Sequence, residues 1–110
     1  MIHQIAELTG YTAEEIAGYG RKNKQLVDIR HLYWMYLYDF GFTYQDIAKL
    51  SGGRNHATII YGVNAMRNML SVGYKQAIWR NEQLKGLQPT SEMLWFFNAK
   101  KSNRDEKATN

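Results

Sequence analysis

The chain has 110 residues, 45% of them hydrophobic and 14% aromatic, which suits one domain with a modest core. It has no cysteine, which excludes disulfides and thiolate metal sites, and its three histidines (His3, His31, His56) show no metal-ligand spacing. The formal net charge of +4 fits a polyanionic partner, and no apolar run approaches a membrane span or a signal peptide, so a cytoplasmic protein without membrane contact is expected.

The pattern is helical throughout, with no sustained period-2 alternation and a single proline, Pro89. Met1 to Leu8 carries Ile2, Ile5, Ala6 and Leu8 on one helical face, and Gly10 ends it. Thr12-Ala13-Glu14-Glu15 has the form of a capping box and opens a short helix to about Tyr19, with Gly18 and Gly20 marking its end. Arg21 to Gln25 is a polar, basic connection. A longer helix is expected from about Leu26 to Asp39, with Ile29, Leu32, Tyr33, Tyr36, Leu37 and Phe40 at helical spacing. Its aromatic residues Tyr33, Trp34 and Tyr36 fall on several sides, so some of them are expected to be partly exposed.

Gly41 breaks that helix, and Thr43-Tyr44-Gln45-Asp46 is a second capping box, opening a helix to Leu50. Gly52-Gly53 forces a sharp turn, and Asn55 is a good N-cap for a helix from His56 to about Leu70 with the stripe Ile59, Ile60, Val63, Met66 and Leu70. A further helix is expected from Tyr74 to about Lys85, and Gly86 to Pro89 forms a linker. Ser91 to Ala99 has the makings of a last short helix, followed by a polar tail. The expectation is therefore an all-α, compact helical domain over 1–86, with about six helices and a helix-turn-helix, and a C-terminal extension over 87–110 with a short apolar helix.

Two helices joined by a tight turn, the second starting with small polar residues, is the layout of a helix-turn-helix. The first helix supports, and the second offers its free amides and positive end to phosphate and base acceptors. His56, Ala57 and Thr58 form the first turn of the second helix. A histidine can donate to or accept from a base edge, an alanine methyl can touch a thymine methyl, and a threonine can do either. Arg54, just before the helix, is in reach of a phosphate or a guanine edge. On the bare pattern alone, an ordinary bundle joined at Gly-Gly is an equal alternative.

The run Thr43-Tyr-Gln-Asp-Ile-Ala-Lys-Leu-Ser-Gly-Gly-Arg-Asn-His-Ala-Thr-Ile-Ile-Tyr-Gly-Val63 resembles the signature of the C-terminal DNA-binding domain of the bacterial replication initiator DnaA. That signature is approximately Ser/Thr-x-x-Glu-Ile-Gly-x-x-Phe-Gly-Gly-Arg-Asp-His-Thr-Thr-Val-x-His-Ala. The resemblance extends from about Ile2 through the helix that ends near Lys85, and it implies a Trp-repressor-like helix-turn-helix fold and duplex-DNA binding.

By the same resemblance, His56 matches a base-contacting histidine and Thr58 a threonine near backbone or base. Asn55 replaces an aspartate, and Ala57 a base-contacting threonine. Lys22 stands where an arginine enters the minor groove, a role lysine fills less well than a guanidinium. Arg30 matches an arginine that meets the phosphate backbone, and His31 stands where a glutamine is usual. Arg21, Lys24, Arg54 and Thr43 complete the expected backbone contacts. Ala65 stands where a basic residue is common. These departures leave the family's usual target site open.

The sequence has no Gly-x-x-x-x-Gly-Lys-Ser/Thr loop, so no nucleotide binding and no cofactor are expected, and starting at Met1 it is expected to act without an ATPase module. No paired carboxylates, nucleophile triad or metal constellation stands out, so no enzyme activity is expected. The apolar run Met93-Leu94-Trp95-Phe96-Phe97 either folds back on the core or forms a partner or homodimer patch. Two functions follow: a sequence-specific double-stranded-DNA binder acting in replication control or transcription, or an adaptor that targets the initiator or replisome.

Overall fold

Six helices follow one another in the computed structural model, which describes residues 1–18, 20 and 23–88, and these residues contain no strand. They are α1 (Ile2–Thr9), α2 (Ala13–Ala17), α3 (Lys24–Asp39), α4 (Tyr44–Leu50), α5 (His56–Ser71) and α6 (Lys75–Leu84). The expected apolar helix over 91–99, with Leu94, Trp95, Phe96 and Phe97, lies outside the described residues, as do the polar tail, Arg21 and Lys22.

Local chemistry sets most boundaries. The Thr12 hydroxyl accepts from the Glu15 amide and the Glu15 carboxylate accepts from the Thr12 amide, both at 3.0 Å, so the box that opens α2 is closed. Thr43 and Asp46 do the same for α4, at 3.1 and 3.3 Å. Each such cap satisfies amides that the first turn of a helix leaves without a partner. Asn23 caps α3 by accepting from the Leu26 amide at 2.8 Å. That cap starts α3 at Lys24, two residues before the apolar periodicity begins, and turns part of the expected basic loop into helix.

α3 is the centre of the domain and packs most extensively on α5, with α2, α4 and α6 around it. Every residue from Leu32 to Leu37 is buried. This corrects the expectation that some of Tyr33, Trp34 and Tyr36 would be partly exposed: they are 2%, 1% and 9% exposed. A helix enclosed on all sides buries every face, so its aromatic residues need not share a stripe. Their polar ends find partners: the Trp34 indole N–H donates to the Ser51 hydroxyl at 3.0 Å and the Tyr36 hydroxyl donates to Asn81 Oδ1 at 2.7 Å. The stripe of α5 includes Gly62 with Ile59, Val63 and Met66, while Ile60 and Leu70 are half-buried.

The buried phenols make an expected pH dependence. Burial pushes the Tyr33 hydroxyl up to about 12, and burial together with the Glu82 carboxylate raises Tyr36 well above the usual tyrosine range. The folded state thus holds these protons more tightly than an unfolded chain, whose phenols titrate near 10.0. Their contribution is complete below that pH and is lost as pH rises through the folded value. Urea melts at stepped pH should show stability falling above roughly pH 10 at up to about 1.4 kcal/mol per pH unit per phenol, with a shallower fall in Tyr33→Phe.

Candidate nucleic-acid interface

The turn between α4 and α5 is built by two glycines in the left-handed region, Gly52 at φ 81° and Gly53 at φ 77°. Side chains with a Cβ adopt this conformation at a cost, so two consecutive residues there call for glycine. The Gly53 and Arg54 amides both donate to the Ala48 carbonyl, at 2.9 and 3.1 Å, which closes the end of α4. Asn55 then caps α5 by accepting from the Ala57 amide at 2.8 Å. The chain passes from α4 to α5 within five residues and brings His56, Ala57 and Thr58 onto the surface as the first turn of a 16-residue helix. The helix dipole makes that end electropositive.

Tertiary packing holds α5 at a fixed depth. Gly62 faces α3, and a Cβ there would lie 2.6 Å from Trp34 Cε3 and 2.7 Å from His31 Cδ2. Only a residue without a side chain lets the two helices approach this closely. His31 is tilted on the Trp34 ring with centroids 5.3 Å apart, and Tyr61 meets His31 edge-on at 6.3 Å. The Arg54 guanidinium lies 5.2 Å from the Trp34 centroid and donates to the Gly18 carbonyl. The turn is thereby tied both to the core and to the end of α2.

A cleft of about 180 Å³ opens between α3 and the start of α5. Around it the fold gathers four of the expected contact residues, Arg30, His31, Arg54 and Thr58. His56 and Ala57 are exposed beside it at the helix start, and Asn55 is exposed while serving as the cap. Two others lie elsewhere. Lys24 is bonded to Asp28 at 3.1 Å, its ammonium 4.6 Å from the centroid of Tyr74 at the start of α6, and the Asp28 carboxylate raises its pKa. Thr43 caps α4 and borders a separate hollow with Tyr38, Phe42 and Tyr44. Arg21 and Lys22 fall outside the described residues.

Arg30 requires a correction. Its expected place was on the surface, against phosphate, yet it is 3% exposed. Its Nε donates to the Ile16 carbonyl at 2.9 Å, and its Nη2 to the carbonyls of Glu15 at 2.8 Å and Gly20 at 3.0 Å. The last carbonyls of a helix lack intrahelical partners, and α2 is only five residues long. A planar guanidinium with several fixed donors suits them, and its charge complements the negative helix end. Arg30 therefore holds α2 against α3.

Three residues absent from the expected site prove central to its geometry: Trp34, Tyr61 and Gly62. Tyr61 is 70% exposed on α5, edge-on to His31 at the border of the cleft. Helical spacing from Ala57 and Thr58 was the available signal for it. A lone glycine inside a helix, at a propensity cost of about 1 kcal/mol, was the signal for Gly62. Trp34 had no signal, since its role depends on a contact across 17 residues with Ser51. Among the described residues no group of three or more His, Cys, Asp or Glu is placed to hold a metal ion, and no helix is long and apolar enough to cross a membrane. No protein-family model, curated protein or solved structure matches the chain.

Proposed function

We propose that this protein binds double-stranded DNA in a sequence-specific manner, with the N-terminus of α5 in the major groove, and acts in replication control or transcription as a relative of the DnaA C-terminal domain. One observation carries the reading. A capped, electropositive helix start presents His56, Ala57 and Thr58 to solvent on a turn fastened to the core through Ser51 and Arg54. Such a fixed, exposed first turn suits base reading, because direct readout depends on side chains held at defined positions along the groove. No catalytic step is part of this reading.

The test is selection of bound duplexes from a random library by the purified protein and by His56→Ala. The native protein should enrich a defined motif. His56→Ala should lose discrimination at one base pair by about 1–3 kcal/mol, or about 5- to 160-fold. If no motif is enriched and no salt-sensitive binding is seen, the reading fails.

An adaptor role is the second reading. It is favoured by Trp79 and Ile78 on α6, 60% and 39% exposed, because exposed aromatic residues anchor protein interfaces. A homodimer through the C-terminal segment belongs to the same class, and sedimentation of the full chain distinguishes it from a monomer.

A further inference from the structure

Tyr61 is an exposed aromatic residue on the surface of α5. It is the second most exposed large hydrophobic residue among those described, at 70%, just behind Val72 in the turn after the helix. Yet its ring is not loose, since it stands edge-on to His31 at an interplanar angle of 84°, and His31 is in turn held on Trp34. A single exposed aromatic side chain is ordinary on a protein surface, and what sets Tyr61 apart is where it stands. Tyr61 lies one turn beyond Ala57 and Thr58, on the side of α5 that faces α3, and it forms a wall of the cleft that also contains Thr58, His31 and Arg54.

The chemistry around that cleft is one-sided. Thr58 and Tyr61 contribute hydroxyls, His31 an imidazole, and Arg30 and Arg54 bring positive charge to the floor. Among the described residues, no acidic side chain lines it. The two arginines are engaged with backbone carbonyls of the α2 region, so their charge acts through space while the hydroxyls are set at the rim. Neutral hydroxyl donors over a positive floor suit an oxygen-rich anion. On a helix whose first turn enters the major groove, residues one turn further along and to one side meet the flanking strand, where tyrosine and threonine hydroxyls commonly contact phosphate.

We propose that Tyr61 is a DNA-contacting residue: its hydroxyl, with that of Thr58, donates to one backbone phosphate diester seated over this cleft, and so sets the register in which His56 and Ala57 meet the bases. This inference rests on the DNA-binding reading above. It makes Thr58 a backbone contact in place of a base reader, and it gives His31 a positioning role through the Tyr61 ring.

The experiment compares the full chain with Tyr61→Phe and Tyr61→Ala by fluorescence anisotropy, on a duplex carrying the selected motif and on a scrambled duplex, at several salt concentrations. Thermal melts establish that each variant is folded. Tyr61→Phe should weaken both duplexes by a similar factor of about 10, as loss of one hydrogen bond to a charged acceptor would. The salt slope should stay unchanged, because the lost donor is neutral and releases no counterion. Tyr61→Ala should weaken binding at least as much. Native-like binding by Tyr61→Phe on both duplexes overturns the inference while leaving DNA binding intact. A Tyr61→Phe defect confined to the motif duplex, with a changed base preference, overturns the phosphate contact and makes Tyr61 a base reader. Absence of salt-sensitive binding by the native chain refutes the DNA reading itself and this inference with it.

Discussion

Replacing Arg30 with methionine is expected to destabilise the fold by about 3 kcal/mol, since each buried acceptor left without a donor costs about 1–3 kcal/mol. Methionine preserves much of the unbranched stem but leaves the carbonyls of Glu15, Ile16 and Gly20 facing an apolar group. Glu15 and Ile16 belong to α2, whose five residues are too few to hold a helix by propensity. The loss should therefore appear as release of the α2 region from α3, on which Ile16 is buried at 0% exposure. Differential scanning calorimetry should record a melting temperature lower by roughly 10–15 °C. Arg30→Lys should fall between the two, because an ammonium cannot span three carbonyls in a plane. An Arg30→Met protein as stable as the native chain would show that these hydrogen bonds contribute nothing net. Loss of DNA binding in Arg30→Ala accordingly reports on folding before it reports on any phosphate contact.

Enlarging Gly62 should be of comparable severity. An alanine Cβ would lie 2.6 Å from Trp34 Cε3, well inside any van der Waals contact. Trp34 has little freedom to retreat: it is 1% exposed and bonded through its indole N–H to Ser51, which is itself fully buried. Overpacking of this kind costs about 1–3 kcal/mol, against which alanine recovers about 1 kcal/mol in helix propensity. A Cβ 2.6 Å from a ring that cannot retreat falls at the upper end of that range, so Gly62→Ala should be destabilised by about 2 kcal/mol, and Gly62→Leu by about 3 kcal/mol or more. The strain falls on the packing between α3 and α5, so α5 is displaced outward and the first turn with it. Urea melts measure the first effect. Duplex selection measures the second, as a motif weakened in Gly62→Ala beyond what its folded fraction explains. A neutral Gly62→Ala would mean that the two helices separate without cost.

The parts of the fold that were legible in the amino-acid sequence share one property: they depend on residues within a few positions of each other. Thr12 with Glu15, Thr43 with Asp46, Gly52 with Gly53, and Asn55 with Ala57 each act over one to three residues, and each marks a helix end where the structure has it. Where the structure departs from these local patterns, a further cap or a distant partner is the cause. Asn23 moved the start of α3, and enclosure by four helices buried the aromatic residues that a stripe would have left at the surface.

The candidate site divides along the same line. Its exposed first turn, His56-Ala57-Thr58, follows from the turn glycines and the Asn55 cap, which are properties of the chain itself. Tertiary structure alone decided what stands behind that turn. It drew Arg30 inward to the carbonyls of Glu15, Ile16 and Gly20, 10 to 15 residues away in sequence, and sent the Lys24 side chain toward Tyr74. It also joined Arg54 to Gly18 across 36 residues and assembled Tyr61, His31 and Trp34 into one aromatic row. The physical reason is that hydrogen-bond capping is a short-range preference of the backbone. A buried cation, by contrast, goes wherever unsatisfied carbonyls come within reach, and those are assembled only when α2, α3 and α5 pack.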